Sequence, residues 1–249
     1  MNLSVDLNAD LGEGAASESE LRELVSSANI ACGFHAGSPI SMTATIRAAH
    51  AAGVAVGAHP SLADRENFGR RELPVTPNEV FALVAYQVGA FQATATSLGV
   101  RPNHIKPHGA LYNMAARDPA LAEAVTHALL AVDRTLILFA PDGSALAQAG
   151  EAIGLRVARE VFADRNYQPD GALVPRTQPN ALLHDAEDAA ERVLRMLREN
   201  VVRTIDGSDL AIQADTICVH GDTPDAVHFA RKLRTHLTAA GIAVAAPFA

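Results

Sequence analysis

Asp6, Asn8 and Asp10 occupy alternate positions in the opening stretch SVDLNADLGEG, and the residues around them, Leu3, Val5, Leu7, Ala9 and Leu11, are all apolar. A period of two is that of a β-strand, whose side chains point alternately to opposite faces. Such a strand buries one face in apolar surroundings and turns two carboxylates and an amide toward something polar or reactive. The pattern recurs along the chain. In NHIKPHGALYN, His104, Lys106 and His108 share a parity, and in ADTICVHGD so do Cys218, His220 and Asp222. Glu160, Phe162 and Asp164 alternate in AREVFADR, VAVGAHP ends in His59, and NIACGFHAG carries Cys32 and His35. Each stretch is apolar at first and titratable toward its end, just before a loop with glycine or proline.

Two chemistries suit that set of side chains. His35, His59, His104, His108 and His220, with Asp6 and Asp10, supply the imidazoles and carboxylates of a divalent-metal site, although no local signature such as HExxH is present. Without a metal, the same groups suit proton transfer to and from an amide or lactam. A carboxylate or imidazole would activate water, and Lys106 or a histidine would stabilise the developing oxyanion. Arg70, Arg71, Arg165 and Arg176 lie in loop segments, and a guanidinium fork fits a carboxylate or phosphate. Each of them taken alone reads equally well as solvated surface. Neither GxxxxGKS/T nor a GxGxxG opening a helix occurs, so any nucleotide must bind outside those two patterns.

The elements that would position these groups alternate regularly. Short apolar runs predict strands at 3–9, 27–32, 54–59, 103–107, 135–140, 155–161 and 215–220, with a further short strand at 242–246. Between them, helical patterns cover 18–27, 39–52, 77–98, 119–131, 144–153, 185–199 and 223–240. Thr76-Pro77-Asn78-Glu79 reads as a cap, a first-turn proline and a capping-box acid, and Asp118-Pro119 repeats the cap and proline. Gly53, Gly99, Gly154 and Gly241 stand where helices end in a left-handed residue. This alternation predicts parallel strands with crossover helices. A closed or nearly closed barrel and an open doubly wound sheet both fit it, and in both the reactive groups gather at the carboxyl ends of the strands. The longest irregular segments are 61–75 and 163–181, the second reading as an ordered loop over the site. One domain is expected.

Bulk properties exclude several classes. The 249 residues carry a formal net charge of −8, which argues against a nucleic-acid or anionic-membrane footprint. The N-terminus lacks a basic segment followed by an apolar one, and no apolar run approaches the roughly 20 residues that span a bilayer. Cys32 and Cys218 are too few for a disulfide scaffold. A cytoplasmic protein is the default expectation.

The segments VDLNADLGEG, SSANIACGFHAG, GAHPS with DRENFGR, HIKPHGALYN, EVFADRNYQPDGALVPR and CVHGD resemble, in order and over essentially the whole chain, the LamB/YcsF family. The resemblance implies an irregular seven-stranded β/α (TIM-like) barrel, similar to those of glycoside hydrolases and polysaccharide deacetylases. It also implies service as the A subunit of bacterial ATP-dependent 5-oxoprolinase. That enzyme opens the lactam 5-oxo-L-proline to L-glutamate, with partner subunits B and C, while ATP becomes ADP and phosphate. A five-membered lactam is a poor electrophile, and phosphorylating its oxygen divides one hard step into two easier ones. Mg²⁺ is expected with the ATP, bridging its phosphates.

On that resemblance, Asp10 with His59 or His108 would transfer protons at the ring carbon, and Lys106 would stabilise the oxyanion. Asp6, Asn8 and Glu13 would position water or a metal-bound phosphate. Arg70, Arg165 or Arg176 would grip the substrate carboxylate or a phosphate. Asn29, His35, His104 and Tyr112 complete the substrate and phosphate shell, with Glu160, Asp164, His220 and Asp222 from the later strands. A tightly bound metal, if present, would draw on Asp6, Asp10 and His59. Alanine at Asp10, His59, Lys106 or His108 is expected to abolish turnover without unfolding the chain. Two departures from the family pattern stand out. Ser38 replaces an Asp after HAG and is expected to cap the following helix. Asn166 replaces a Gly and is expected to tolerate a left-handed backbone. Two rival readings are a metal-dependent deacylase of a carbohydrate amide, active without ATP, and a non-catalytic subunit that only presents the lactam.

Overall fold

The structure is a computed structural model that describes residues 3–219 and 226–248. Seven parallel strands close into a barrel: β1 (Ser4–Leu11), β2 (Ser27–Ala31), β3 (Ala55–His59), β4 (His104–Ile105), β5 (Ile137–Pro141), β6 (Arg156–Phe162) and, after the hairpin β7 (Val201–Arg203) and β8 (Asp209–Ala211), β9 (Thr216–Val219). Each strand pairs in parallel with the next, and β9 returns to β1 with Asp6 opposite Thr216. Following those partners once around arrives back on β1 displaced toward its N-terminus, the stagger that closure of a tilted sheet requires. The short β10 (Ala243–Val244) pairs with Ser4 and Val5, before β2 takes over at Asn8.

Helices α1 (Glu18–Arg22), α2 (Pro39–Ala51), α3 (Pro77–Ser97), α4 (Gly109–Arg117), α5 (Pro119–Asp133), α6 (Ala145–Ala152), α7 (Ala186–Glu199) and α8 (Ala226–Ala239) surround the strands. The main core lies between the two layers. Val5, Leu7, Ala9 and Leu11 are at most 2% exposed on the outward face of β1, in one cluster with α2, α3 and α5 side chains. The inward parity is the unusual one. Barrel interiors are ordinarily filled with branched aliphatic side chains, but here apolar filling is confined to Ile137, Phe139 and Ala158 on β5 and β6, and to Phe162 and Cys218 with Tyr112 against them. Most of the remaining inward side chains are polar.

The capping expectations hold. Thr76 with Glu79 and Ser38 with Ser41 form capping boxes, and the Asp118 carboxylate accepts from two first-turn N–H groups. Three expectations need correction. The helix predicted over 18–27 ends at Arg22, because Ser26 and Ser27 are drawn into pairing beside β1. Helix α4 fills a stretch that reads as a turn in sequence, with His108 at its N-terminus and Asp118, in extended conformation, separating it from α5. Asn166 is absent from the positive-φ residues, which outside glycine are Phe68, Asn200 and Phe248 among those described. Its side chain instead donates to the Asn180 carbonyl and accepts from Arg192, which fixes the turn without a left-handed residue.

Candidate functional site

The inward side chains of β1 climb the barrel in three steps. At the lower step Asp6 is 1% exposed, and both of its carboxylate oxygens are satisfied by hydroxyls from Ser26, Ser27 and Thr216. Burial raises its pKa to about 6 against those stabilising donors. One step up, Asn8 donates to Glu160 (2.9 Å) and Thr216 (2.7 Å), and its carbonyl accepts from Asn29 and from Lys106. Glu160 also accepts from the Tyr112 hydroxyl at 2.6 Å. The Lys106 ammonium reaches Glu160 (2.8 Å), Asn8 (3.1 Å), Asp10 (3.2 Å) and the Cys218 sulfur (3.0 Å). Burial disfavours its charge, but Asp10, Cys218 and Glu160 overcome that and hold it firmly protonated. With three buried partners and the partly buried Asp10, Lys106 is part of the framework as well as of the site. The expectation that its removal spares the fold is therefore revised.

Asp10 marks the upper step. It accepts from Asn29, whose own carbonyl accepts from His104 Nε2 at 2.8 Å. Burial alone would raise the Asp10 carboxyl, but His59 and Lys106 hold it well below the usual carboxylate range. His104 stacks on Phe139 at 4.2 Å and stays neutral, its pKa lowered to about 3 by burial and then by Lys106. Its ring fits because residue 57 is glycine: a Cβ there would lie 2.2 Å from the imidazole.

At the mouth, His59 and His108 meet at 2.9 Å, and His35 stacks on His108 with centroids 3.8 Å apart. Burial, then the neighbouring imidazoles, holds His108 well below its ordinary pKa, and burial with His59 takes His35 to about 3. Glu13 faces all three rings, at 2.8 Å from His35, 3.4 Å from His108 and 3.9 Å from His59. These four residues each offer one donor atom, all within 4.8 Å of one another, a group suited to holding a metal ion. Of the seven metal candidates read from the sequence, His35, His59 and His108 belong to it; of the narrower set Asp6, Asp10 and His59, only His59 does. Asp10 lies alongside, 3.3 Å from His59, and Asp6 sits two steps below among hydroxyls.

Two local devices place this group. The Glu18 carboxylate accepts the backbone N–H groups of Gly12, Glu13, Gly14 and Ala15 at 2.7–3.1 Å, pinning the loop that carries Glu13. Phe68 and Gly69 are successive left-handed residues (φ 56° and 63°), which aims the Phe68 carbonyl at His108 Nε2. A bulky residue in that conformation is strained, and such strain gathers at functional sites. The Gly12-Glu13-Gly14 spacing ahead of an acid was the available signal for Glu18. Nothing local signalled the Phe68 carbonyl, or Ser26, Ser27 and Thr216.

The arginines divide. Arg70 lies over the Phe68 ring at 5.0 Å, beside the imidazoles. Arg165 is 7% exposed, donates to the Val174 carbonyl and keeps Nε buried without a partner. Burial, then neighbouring Arg176, lowers its pKa to about 10, while Asp164 opposes the shift. His220 and Asp222 lie outside the described residues.

Comparison with known proteins fits this geometry. A 5-oxoprolinase A subunit from Bordetella pertussis is 54% identical over 99% of this chain and 100% of its own length. The crystal structure of a lactam utilization protein from Thermus thermophilus is 44% identical, with a TM-score of 0.91 over 98% of this chain and 100% of that one. A family 4 carbohydrate esterase from Streptomyces lividans shares the barrel alone, at 14% identity and a TM-score of 0.52 over 98% and 92% of the two chains. No helix among the described residues is long and apolar enough to cross a membrane. A family model spans residues 5–249, and the chain belongs to the LamB/YcsF family.

Proposed function

We propose that this chain is the A subunit of a cytoplasmic, ATP-dependent 5-oxoprolinase that opens 5-oxo-L-proline to L-glutamate together with subunits B and C. The observation that carries this reading is identity near half over the full length with a protein named as the A subunit of 5-oxoprolinase. The lactam utilization protein supports the substrate class. The reaction adds one water across the lactam C–N bond and consumes a second in converting ATP to ADP and phosphate. ATP, which would come with Mg²⁺, would make the ring carbon electrophilic by transferring its terminal phosphoryl group to the lactam oxygen and leaving as ADP.

Asp10 supplies a carboxylate kept ionised 3.3 Å from His59, so it accepts a proton from attacking water and returns one to the leaving ring nitrogen, with His59 orienting it. Lys106 faces the same mouth and balances charge as the oxygen becomes anionic. Arg165 and Arg176, and Arg70 over the Phe68 ring, are suited to the substrate carboxylate or a phosphate.

The test is glutamate formation from 5-oxoproline by the co-expressed A, B and C subunits, with and without ATP. ATP-dependent glutamate is expected, and its absence in every arm overturns the reading. Glutamate without ATP instead supports a metal-dependent deacylase, a second reading favoured by the three imidazoles and carboxylate at the mouth.

A further inference from the structure

We propose that Glu13, His35, His59 and His108 form a resident site for a divalent transition metal of the Zn²⁺, Mn²⁺, Fe²⁺ or Co²⁺ class. The argument begins with where the ring protons must be. His59 Nδ1 lies 2.6 Å from the Lys106 carbonyl, and His108 Nε2 lies 2.9 Å from the Phe68 carbonyl. A carbonyl only accepts, so each of these nitrogens carries a proton. The other nitrogens, His59 Nε2 and His108 Nδ1, face each other at 2.9 Å, and in the neutral rings both are lone pairs. A cation must then sit between them, either a single shared proton or a metal ion, and Glu13 and His35 close around the same point.

The carbonyl contacts are also the outer support that ligating histidines characteristically have, one ring N–H fixed so that the other nitrogen is aimed at the ion. His35 directs Nε2 at Glu13, and its Nδ1 is buried without a partner, so no acceptor dictates which of its nitrogens holds the proton. Glu13 is delivered by the loop that Glu18 pins through four backbone N–H groups.

Spacing agrees. Ligands about 2.0–2.1 Å from a tetrahedral ion lie roughly 3.3 Å from one another. Four of the six separations are 2.8 Å (Glu13–His35), 2.9 Å (His59–His108), 3.4 Å (Glu13–His108) and 3.9 Å (Glu13–His59), and all lie within 4.8 Å, so an ion is reached by small shifts with His35 turning off its stack on His108. Three imidazoles to one carboxylate select a borderline transition ion over Mg²⁺ or Ca²⁺, which prefer all-oxygen shells. The site is thus distinct from any Mg²⁺ that arrives with ATP. It does not depend on the lactam assignment.

The test uses the full chain, stripped with a chelator, dialysed against Zn²⁺ or Co²⁺ and assayed for bound metal by mass spectrometry, with Co²⁺ absorption as the second readout. About one equivalent per chain is expected, with visible d–d bands that added Mg²⁺ does not displace. The double variant His59→Ala/His108→Ala should lose the bands. Glu18→Gln should weaken binding about tenfold, as outer-shell changes do. Folding of each variant is checked by circular dichroism, and Glu13→Gln replaces any that fails. Folded wild-type chain that retains neither ion and shows no Co²⁺ bands overturns the proposal, since the two imidazoles must then share a proton instead. Undiminished bands in the folded double variant overturn it equally.

Discussion

The lower and upper steps of the barrel interior both build on the inward parity of β1, yet they treat polar atoms in opposite ways. Around Asp6 three hydroxyls donate to the carboxylate, and the group is closed from solvent. At the mouth two imidazole nitrogens face each other at 2.9 Å, His35 Nδ1 has no partner, and Phe68 holds a strained backbone to aim its carbonyl. Buried polar groups are normally satisfied, so the lower step has the character of framework and the upper step that of a place built to receive something. Alternation alone does not distinguish the two. Satisfaction does.

Lys106 stands on the boundary between the two steps, and its removal carries the largest expected effect. Lys106→Met strips Asp10 and Glu160 of the ammonium they share, and breaking a buried pair in this way costs about 3–5 kcal/mol. Urea unfolding should show that loss alongside loss of turnover in the three-subunit complex. A variant of unchanged stability would move Lys106 wholly to the functional side.

Asp6 is expected to act on stability through pH. Its pKa in the folded chain is about 6 against 3.8 for the ordinary side chain, so between those values the folded state binds more protons than the unfolded one. Stability contributed by this group is therefore full below about pH 4 and falls as pH rises to about 6, by about 3 kcal/mol in all. Asp6→Asn should flatten that slope in unfolding midpoints measured from pH 4 to 7. A variant with the same slope as wild type would mean that the hydroxyl shell offsets burial completely.

Asp10→Asn tests the opposite region. Turnover of the complex should fall at least about 100-fold, the range of a lost proton-transfer group, while stability falls by less than in Lys106→Met because Lys106 keeps Glu160. If the variant unfolds while keeping proportionate activity, the upper step is framework too and the contrast fails.

Much of this arrangement was legible in the chain because strand parity is local. Odd residues of β1 do pack outward and even ones inward, and titratable residues do gather at the carboxyl ends of β1, β3 and β4. Caps were legible for the same reason, since Thr76, Ser38 and Asp118 act on residues two or three positions away. What sequence could not supply is the distance between loops. Glu13 joins the imidazoles through a loop folded around Glu18, and His108 is oriented by a carbonyl 40 residues earlier. Helix α4 was hidden because His108 and Gly109 read as a turn, while its apolar face shows only against α5, α6 and β5. Gly57 looked like any strand glycine until His104 was seen lying against it.

The smallest expected effect separates a family position from a site position. Ser38 stands where the family pattern has Asp, and here its hydroxyl accepts from the Ser41 N–H while Ser41 Oγ accepts from the Ser38 N–H. Ser38→Ala should lose about 1 kcal/mol of stability with the cap. Ser38→Asp should remain within a few tenths of a kcal/mol of wild type, because Ser and Asp cap about equally well. Turnover should be unchanged in both. If Ser38→Asp accelerates glutamate formation while Ser38→Ala does not slow it, that carboxylate has a role beyond capping. The mouth then extends from Glu13 and His35 to the start of α2, further than the polar interior of the barrel reaches.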